Sequence, residues 1–129
     1  MEHRLRQWLS RFNLDAGIET EVIAVLAGLP EHVRLDIVED QGFCFYDYDP
    51  GAGAVMCVPV SSPRANGHSR SVVLKRTLRR ATPAFTRYVI AHELAHAFLR
   101  NAGRWEGDDP EQAAEELAAQ WGFPRPPKS

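Results

Sequence analysis

His92-Glu93-Leu94-Ala95-His96 places three groups with acid–base and metal-binding chemistry within five residues. On an α-helix, positions four apart share a face, one turn above the other. Two imidazoles so placed can both reach one Zn²⁺ at an ordinary Zn–N distance. Glu93 follows the first imidazole and can meet a water held by the ion from the side, accepting its proton and returning it later. The pattern therefore offers hydrolysis at a divalent ion. The competing account is a pair of hydrogen-bonded core histidines. It leaves a glutamate in apolar surroundings with no partner, which is costly; a metal site removes that objection.

The motif needs a helix, and its flanks supply one. Thr82 suits an N-cap and Pro83 the first helical position. Phe85, Val89, Ile90, Ala91, Leu94, Ala95, Phe98 and Leu99 recur near a 3.6-residue period. Arg100 fits the negative end of the dipole and Gly103 a C′ position. These signals predict an active-site helix over 82–102.

Catalytic zinc usually takes three protein ligands and keeps one open position. No histidine follows His96, so a third imidazole would have to come from His3, His32 or His68. The downstream carboxylates are Glu106, Asp108, Asp109, Glu111, Glu115 and Glu116. Asp109-Pro110-Glu111-Gln112 reads as N-cap, N1 proline and a capping-box glutamine, opening a helix over 110–121 that Gly122 and Pro124 stop. On it Glu111, Ala114, Leu117 and Ala118 share one face. Glu115 lies one turn beyond Glu111 and is the second choice. Acidic residues also favour a first helical turn because of the dipole, so spacing alone leaves Glu111 and Glu115 both open.

The rest of the chain must position these groups. The 129 residues suit one domain over 1–129, with one core. Residues 1–30 read as a helical part, with an amphipathic helix over Glu2–Phe12 and a second over Ile18–Ala27. Residues 33–77 read as a sheet: Val33–Glu39 alternates apolar and polar, Gly42–Tyr48 and Ala54–Val60 form a hairpin across Asp49–Gly53, and Ser71–Thr77 leads into the active-site helix. Residues 124–129 read as a loose extended tail. The fold class expected is α+β, a small antiparallel or mixed sheet packed on helices.

Hydrophobic residues make up 44% and charged residues 25%, with a net charge of −2. No global field recruits nucleic acid or an acidic membrane. The basic run Arg70, Lys75, Arg76, Arg79, Arg80 and Arg87 lacks interleaved aromatics, so a solvated rim that steers an acidic substrate fits it better than a nucleic-acid groove. Asp36, Glu39, Asp40, Asp47 and Asp49 lack metal-ligand spacing. Cys44 and Cys57 are not spaced as a zinc pair and read as apolar thiols. No stretch has the length of a membrane span and Met1–Trp8 has no apolar signal core, so the cytoplasm is the expected compartment.

Phe85-Thr86-Arg87-Tyr88-Val89-Ile90-Ala91-His92-Glu93-Leu94-Ala95-His96, followed by Glu111-Gln112-Ala113-Ala114-Glu115-Glu116-Leu117-Ala118-Ala119 and Pro124, resembles the ImmA/IrrE family of small gluzincin-type zinc metallopeptidases. The likeness spans Ser71–Pro124. It departs at Glu115, where the family tends to carry Asn or Asp, and at Ala95, where Gly is frequent. The resemblance implies a zincin-like fold, Zn²⁺ on His92, His96 and Glu111, and Glu93 as general base. It also implies a cytoplasmic endopeptidase, often encoded on phages or mobile elements, that cleaves a regulatory protein such as a helix-turn-helix repressor. The alternative is a zinc-stabilised binding module that docks a regulator or phage protein. A fourth position closed by a side chain such as Glu115 or a tail residue would favour the module, and free water on the ion with an open groove the enzyme. Tyr88 and His68 are the candidates for oxyanion help, each with a structural role as the simpler account.

Overall fold

A computed structural model describes residues 1–48, 71–100 and 109–127. Within them the chain is mixed α and β, mostly helical, with one two-stranded parallel sheet. Helix α1 (Glu2–Leu9) passes through a 3₁₀ turn, Ser10–Phe12, into α2 (Ala16–Gly28) and α3 (Glu31–Val38). Strands β1 (Cys44–Tyr48) and β2 (Ser71–Lys75) follow, then a 3₁₀ turn over Arg76–Arg80, α4 (Pro83–Arg100) and α5 (Pro110–Gln120).

The segment Val33–Glu39, expected to be a strand, belongs to α3. Its apolar residues satisfy both periods, because Val33 and Ile37 are an even number apart and also one helical turn apart. The ends decide the outcome. Pro30 takes the N-cap, and its carbonyl accepts from the amides of Val33 and Arg34, each at 3.0 Å. Val33 and Ile37 are buried, whereas Leu35, which a strand would bury with them, is 43% exposed. Arg34 Nη1 also donates to the carbonyls of Leu26 (3.4 Å) and Leu29 (3.1 Å), satisfying acceptors at the end of α2.

The described strand pair is parallel, in register from Cys44↔Ser71 to Tyr48↔Lys75. A parallel pair needs a crossover of a dozen or more residues, and residues 49–70 supply that length. The expected strand Ala54–Val60, its hairpin with β1, Cys57 and His68 lie outside the described residues. So do Gly103, Glu106 and Asp108.

One apolar cluster joins all the helices to the sheet. At one end Trp8, Phe12, Phe43 and Phe45 pack their rings with centroids 4.9–6.1 Å apart, a spacing at which edge-to-face pairs gain beyond area burial. At the other end α4 lies between α2 and α5. The helices α4 and α5 pack against each other, and each carries fully buried small residues, Ala91 and Ala95 on α4 and Ala114 and Ala118 on α5. Short side chains there let the two helices approach closely.

Two starts, those of α4 and α5, match the sequence signals, and the structure adds a third cap on α2, which begins at Ala16 rather than at Ile18. Thr82 Oγ1 accepts from the Phe85 amide at 3.3 Å. Asp15 caps α2 through the amides of Gly17 and Ile18. Asp109 caps α5 through Glu111 N (3.0 Å) and Gln112 N (3.1 Å), with Pro110 in the first turn. Gln112 does not complete a capping box, since its Nε2 donates forward to Glu116 at 3.1 Å. Gly122 adopts φ +96° at the end of α5, a left-handed conformation that turns the chain back.

Candidate metal centre

His92 and His96 stand one turn apart on α4, their ring centroids 4.9 Å from each other. Both are 12% exposed. Facing them from the first turn of α5 is Glu111. Its Oε2 lies 2.9 Å from His92 Nε2 and its Oε1 3.0 Å from His96 Nε2. One ligand atom from each of the three residues falls within 4.8 Å of the others. Glu111 is 73% exposed, so the cluster opens to solvent on its side. Its carboxyl is held below the usual carboxylate range, first by the hydrogen bond to His92.

The donor set fits zinc. Two imidazole nitrogens and one carboxylate oxygen are ordinary zinc ligands, and ligands about 2.0–2.1 Å from a tetrahedral ion sit roughly 3.3 Å from one another. The two N···O separations are already near that spacing. A further sign is His92 Nδ1, which is buried and has no hydrogen bond among the described residues. Glu115 Oε1 lies 3.5 Å from it, within ion-pair reach but short of hydrogen-bond geometry. A histidine that ligates through Nε2 generally gives its other N–H to a carboxylate or carbonyl, and Glu115 stands where that acceptor belongs.

Glu115 is itself held. Tyr88 Oη donates to its carboxylate, in contact with both oxygens, and Arg125 Nε donates to Oε2 at 3.2 Å. The Arg125 guanidinium lies over the Tyr88 ring, 5.1 Å from its centroid. The Tyr88 hydrogen bond, followed by Arg125, lowers the Glu115 carboxyl below its ordinary range. Burial, reinforced by Glu115, pushes the Tyr88 phenol up to about 12.

Of the residues singled out in the sequence, His92, His96 and Glu111 come together. Glu93 follows on the same helix, half-buried, and its carboxylate has no hydrogen bond or ion pair among the described residues. Glu115 stands behind His92 rather than among the ligands. Tyr88 is turned to Glu115, which takes up its hydroxyl. His3 and His32 are exposed on α1 and α3, and neither joins the cluster; His32 instead lies against the Phe98 ring. The basic run is partly used in folding: Arg79 pairs with Asp15 at 3.6 Å and Arg87 with Glu21 at 2.7 Å, both on or beside α2. Cys44 is a half-buried free thiol whose pKa burial raises. Arg125 is the member of the centre that sequence reasoning missed. It lies in Pro124-Arg125-Pro126, where no periodicity marks its direction.

No helix of the described residues is long and apolar enough to cross a membrane. Comparison with family models, with curated proteins and with solved structures finds no match to this chain.

Proposed function

We propose that this chain is a zinc-dependent endopeptidase domain of zincin-like type, acting in the cytoplasm on a regulatory protein. The observation that carries the reading is the convergence of His92 Nε2 and His96 Nε2 on the two oxygens of one carboxylate, Glu111, delivered from a separate helix. His92, His96 and Glu111 would hold the ion. Bound there, zinc supplies Lewis acidity and a water acidic enough to ionise near neutral pH.

The chain's own groups supply the rest. Glu93 accepts the proton from the attacking water and delivers it to the leaving amine. Among the described residues its carboxylate has no other partner, which suits that exchange. Glu111 contributes a negative charge that would offset part of the ion's, and Glu115, 3.5 Å from His92 Nδ1, stands where a small shift would let it accept that N–H and fix the tautomer in which Nε2 is a ligand. Glu115, one candidate for closing a fourth position, is occupied with Tyr88, Arg125 and the far side of His92. That arrangement favours the enzyme over the zinc-stabilised binding module. Strand β2 carries exposed Ser71, Val73 and Lys75 and is a candidate edge for pairing with an extended substrate segment. A repressor with a helix-turn-helix domain is the kind of substrate that the ImmA/IrrE resemblance implies.

The test is Glu93→Gln. The variant should retain zinc at wild-type stoichiometry and lose cleavage by about 10²–10⁴-fold, the usual contribution of a positioned base. Cleavage at the wild-type rate by that variant would remove Glu93 from the reaction.

A further inference from the structure

Tyr88, Glu115 and Arg125 come from α4, from α5 and from the segment beyond Gly122, and they meet behind His92. The segment is placed there by identifiable contacts. Gly122 reverses the chain at φ +96°, and the Phe123 amide donates to the Ala118 carbonyl at 2.9 Å. The Phe123 ring seats against Gly28, where a Cβ would come within 3.1 Å of it. Two residues on, Arg125 reaches back over the Tyr88 ring to Glu115.

Glu115 has two oxygens and three neighbours. Tyr88 carries one proton and approaches both oxygens, while Arg125 Nε takes Oε2. Arg125 thus pins Oε2, while Oε1 is the oxygen closest to the Tyr88 hydroxyl and also the one 3.5 Å from His92 Nδ1. The terminal torsion of a glutamate is soft and broadly populated. Without the guanidinium, the Tyr88 hydroxyl alone holds the carboxylate, which can pivot about that one contact away from the imidazole, and the Tyr88 ring loses the cation over its face.

We infer that Arg125 is a positioning residue for the metal centre, acting through Glu115 on the imidazole of His92. The inference rests on the zinc reading above. Arg125 touches none of His92, His96 or Glu111 and is 61% exposed. An exposed ion pair contributes little to folding, so its effect should be read in metal affinity rather than in the stability of the metal-free chain.

The experiment is a zinc titration of the full chain against a chromophoric chelator at fixed pH, for wild type, Arg125→Ala, Arg125→Lys, Glu115→Ala and the Arg125→Ala/Glu115→Ala double variant. Partners of a ligating histidine typically alter affinity about 10–100-fold, so Glu115→Ala should weaken binding by about tenfold or more. Arg125, one step further out, should cost roughly three- to tenfold, at or below the lower end of that range. Arg125→Lys should recover part of the loss, since it keeps the charge without the planar fork. The double variant should bind no more weakly than Glu115→Ala, because the two residues act in series. Metal-free melting temperatures of wild type and Arg125→Ala should coincide. Wild-type affinity in Arg125→Ala overturns the inference, as does a loss that adds in full to that of Glu115→Ala. A metal-free Arg125→Ala that melts well below wild type makes the residue a structural prop and overturns it too. A wild-type chain that binds no zinc fails at the metal reading itself and takes this inference with it, whereas zinc-binding wild type with an unaffected Arg125→Ala fails here alone.

Discussion

Glu111 and Glu115 are one helical turn apart and chemically identical, yet their surroundings assign them different parts. Glu111 faces the two Nε2 atoms and opens to water, while Glu115 faces Nδ1 of one histidine and is tied to a phenol and a guanidinium. Glu111→Ala should therefore strip most of the bound zinc on dialysis against a buffered metal solution, and Glu115→Ala should leave more of it in place. Metal analysis in the opposite order would exchange their roles. The Tyr88–Glu115 pair also has a pH signature. The Tyr88 phenol is raised to about 12, first by burial and then by Glu115. A raised folded value means its stabilisation is whole below the unfolded value of about 10 and is lost as pH climbs through 12. The Glu115 carboxyl is lowered, first by the Tyr88 hydrogen bond. Its contribution is whole above the unfolded carboxylate value and is lost as pH falls through the lower folded one. The stability difference between wild type and Tyr88→Phe, followed by urea unfolding, should be largest between those limits and shrink above about pH 10. In a tyrosinate absorbance titration, Tyr88→Phe should lack the component near 12. An unchanged titration would mean that Tyr88 does not make this contact in solution.

At the scale of elements, the site is the junction of α4 and α5, and small side chains set its spacing. Ala91, Ala95, Ala114 and Ala118 are fully buried between neighbours. Ala118→Leu should cost about 1–3 kcal/mol in urea unfolding, the usual penalty for overpacking, and should weaken zinc binding by moving Glu111 from the histidines. A variant with wild-type stability and affinity would show that the junction has slack. Much of this junction was legible in the sequence. The His92–His96 spacing, the Thr82-Pro83 and Asp109-Pro110 starts and the Gly122 stop are local signals, and each appears where local chemistry put it. What was not legible depended on distant contacts. Val33 and Ile37 fit both periods, and only the burial of their neighbours and the Pro30 cap made that segment α3. The parallel pairing of β1 with β2 is a choice of partner, on which alternation is silent. Glu115 could be separated from Glu111 only once Tyr88 and Arg125 were beside it.

At the scale of the whole molecule, the centre lies between two helices consecutive in the chain, α4 and α5, which a shared ion would tie together. α4 is held between α2 and α5, and α5 brings Glu111 to the two histidines from its exposed first turn. An ion bound by the folded chain alone should raise stability by RT ln(1 + [L]/Kd), about 2.7 kcal/mol at a hundredfold excess over Kd. Zinc should raise the melting temperature and a chelator reverse the rise, with no response in His96→Ala. The central claim is the shared ion, and zinc-edge anomalous diffraction of the zinc-loaded protein tests it most directly. The account predicts one ion per chain, with His92 Nε2, His96 Nε2 and a Glu111 oxygen all about 2.0–2.2 Å away. An ion seated elsewhere, or no ion in a chain soaked to saturation, would contradict it.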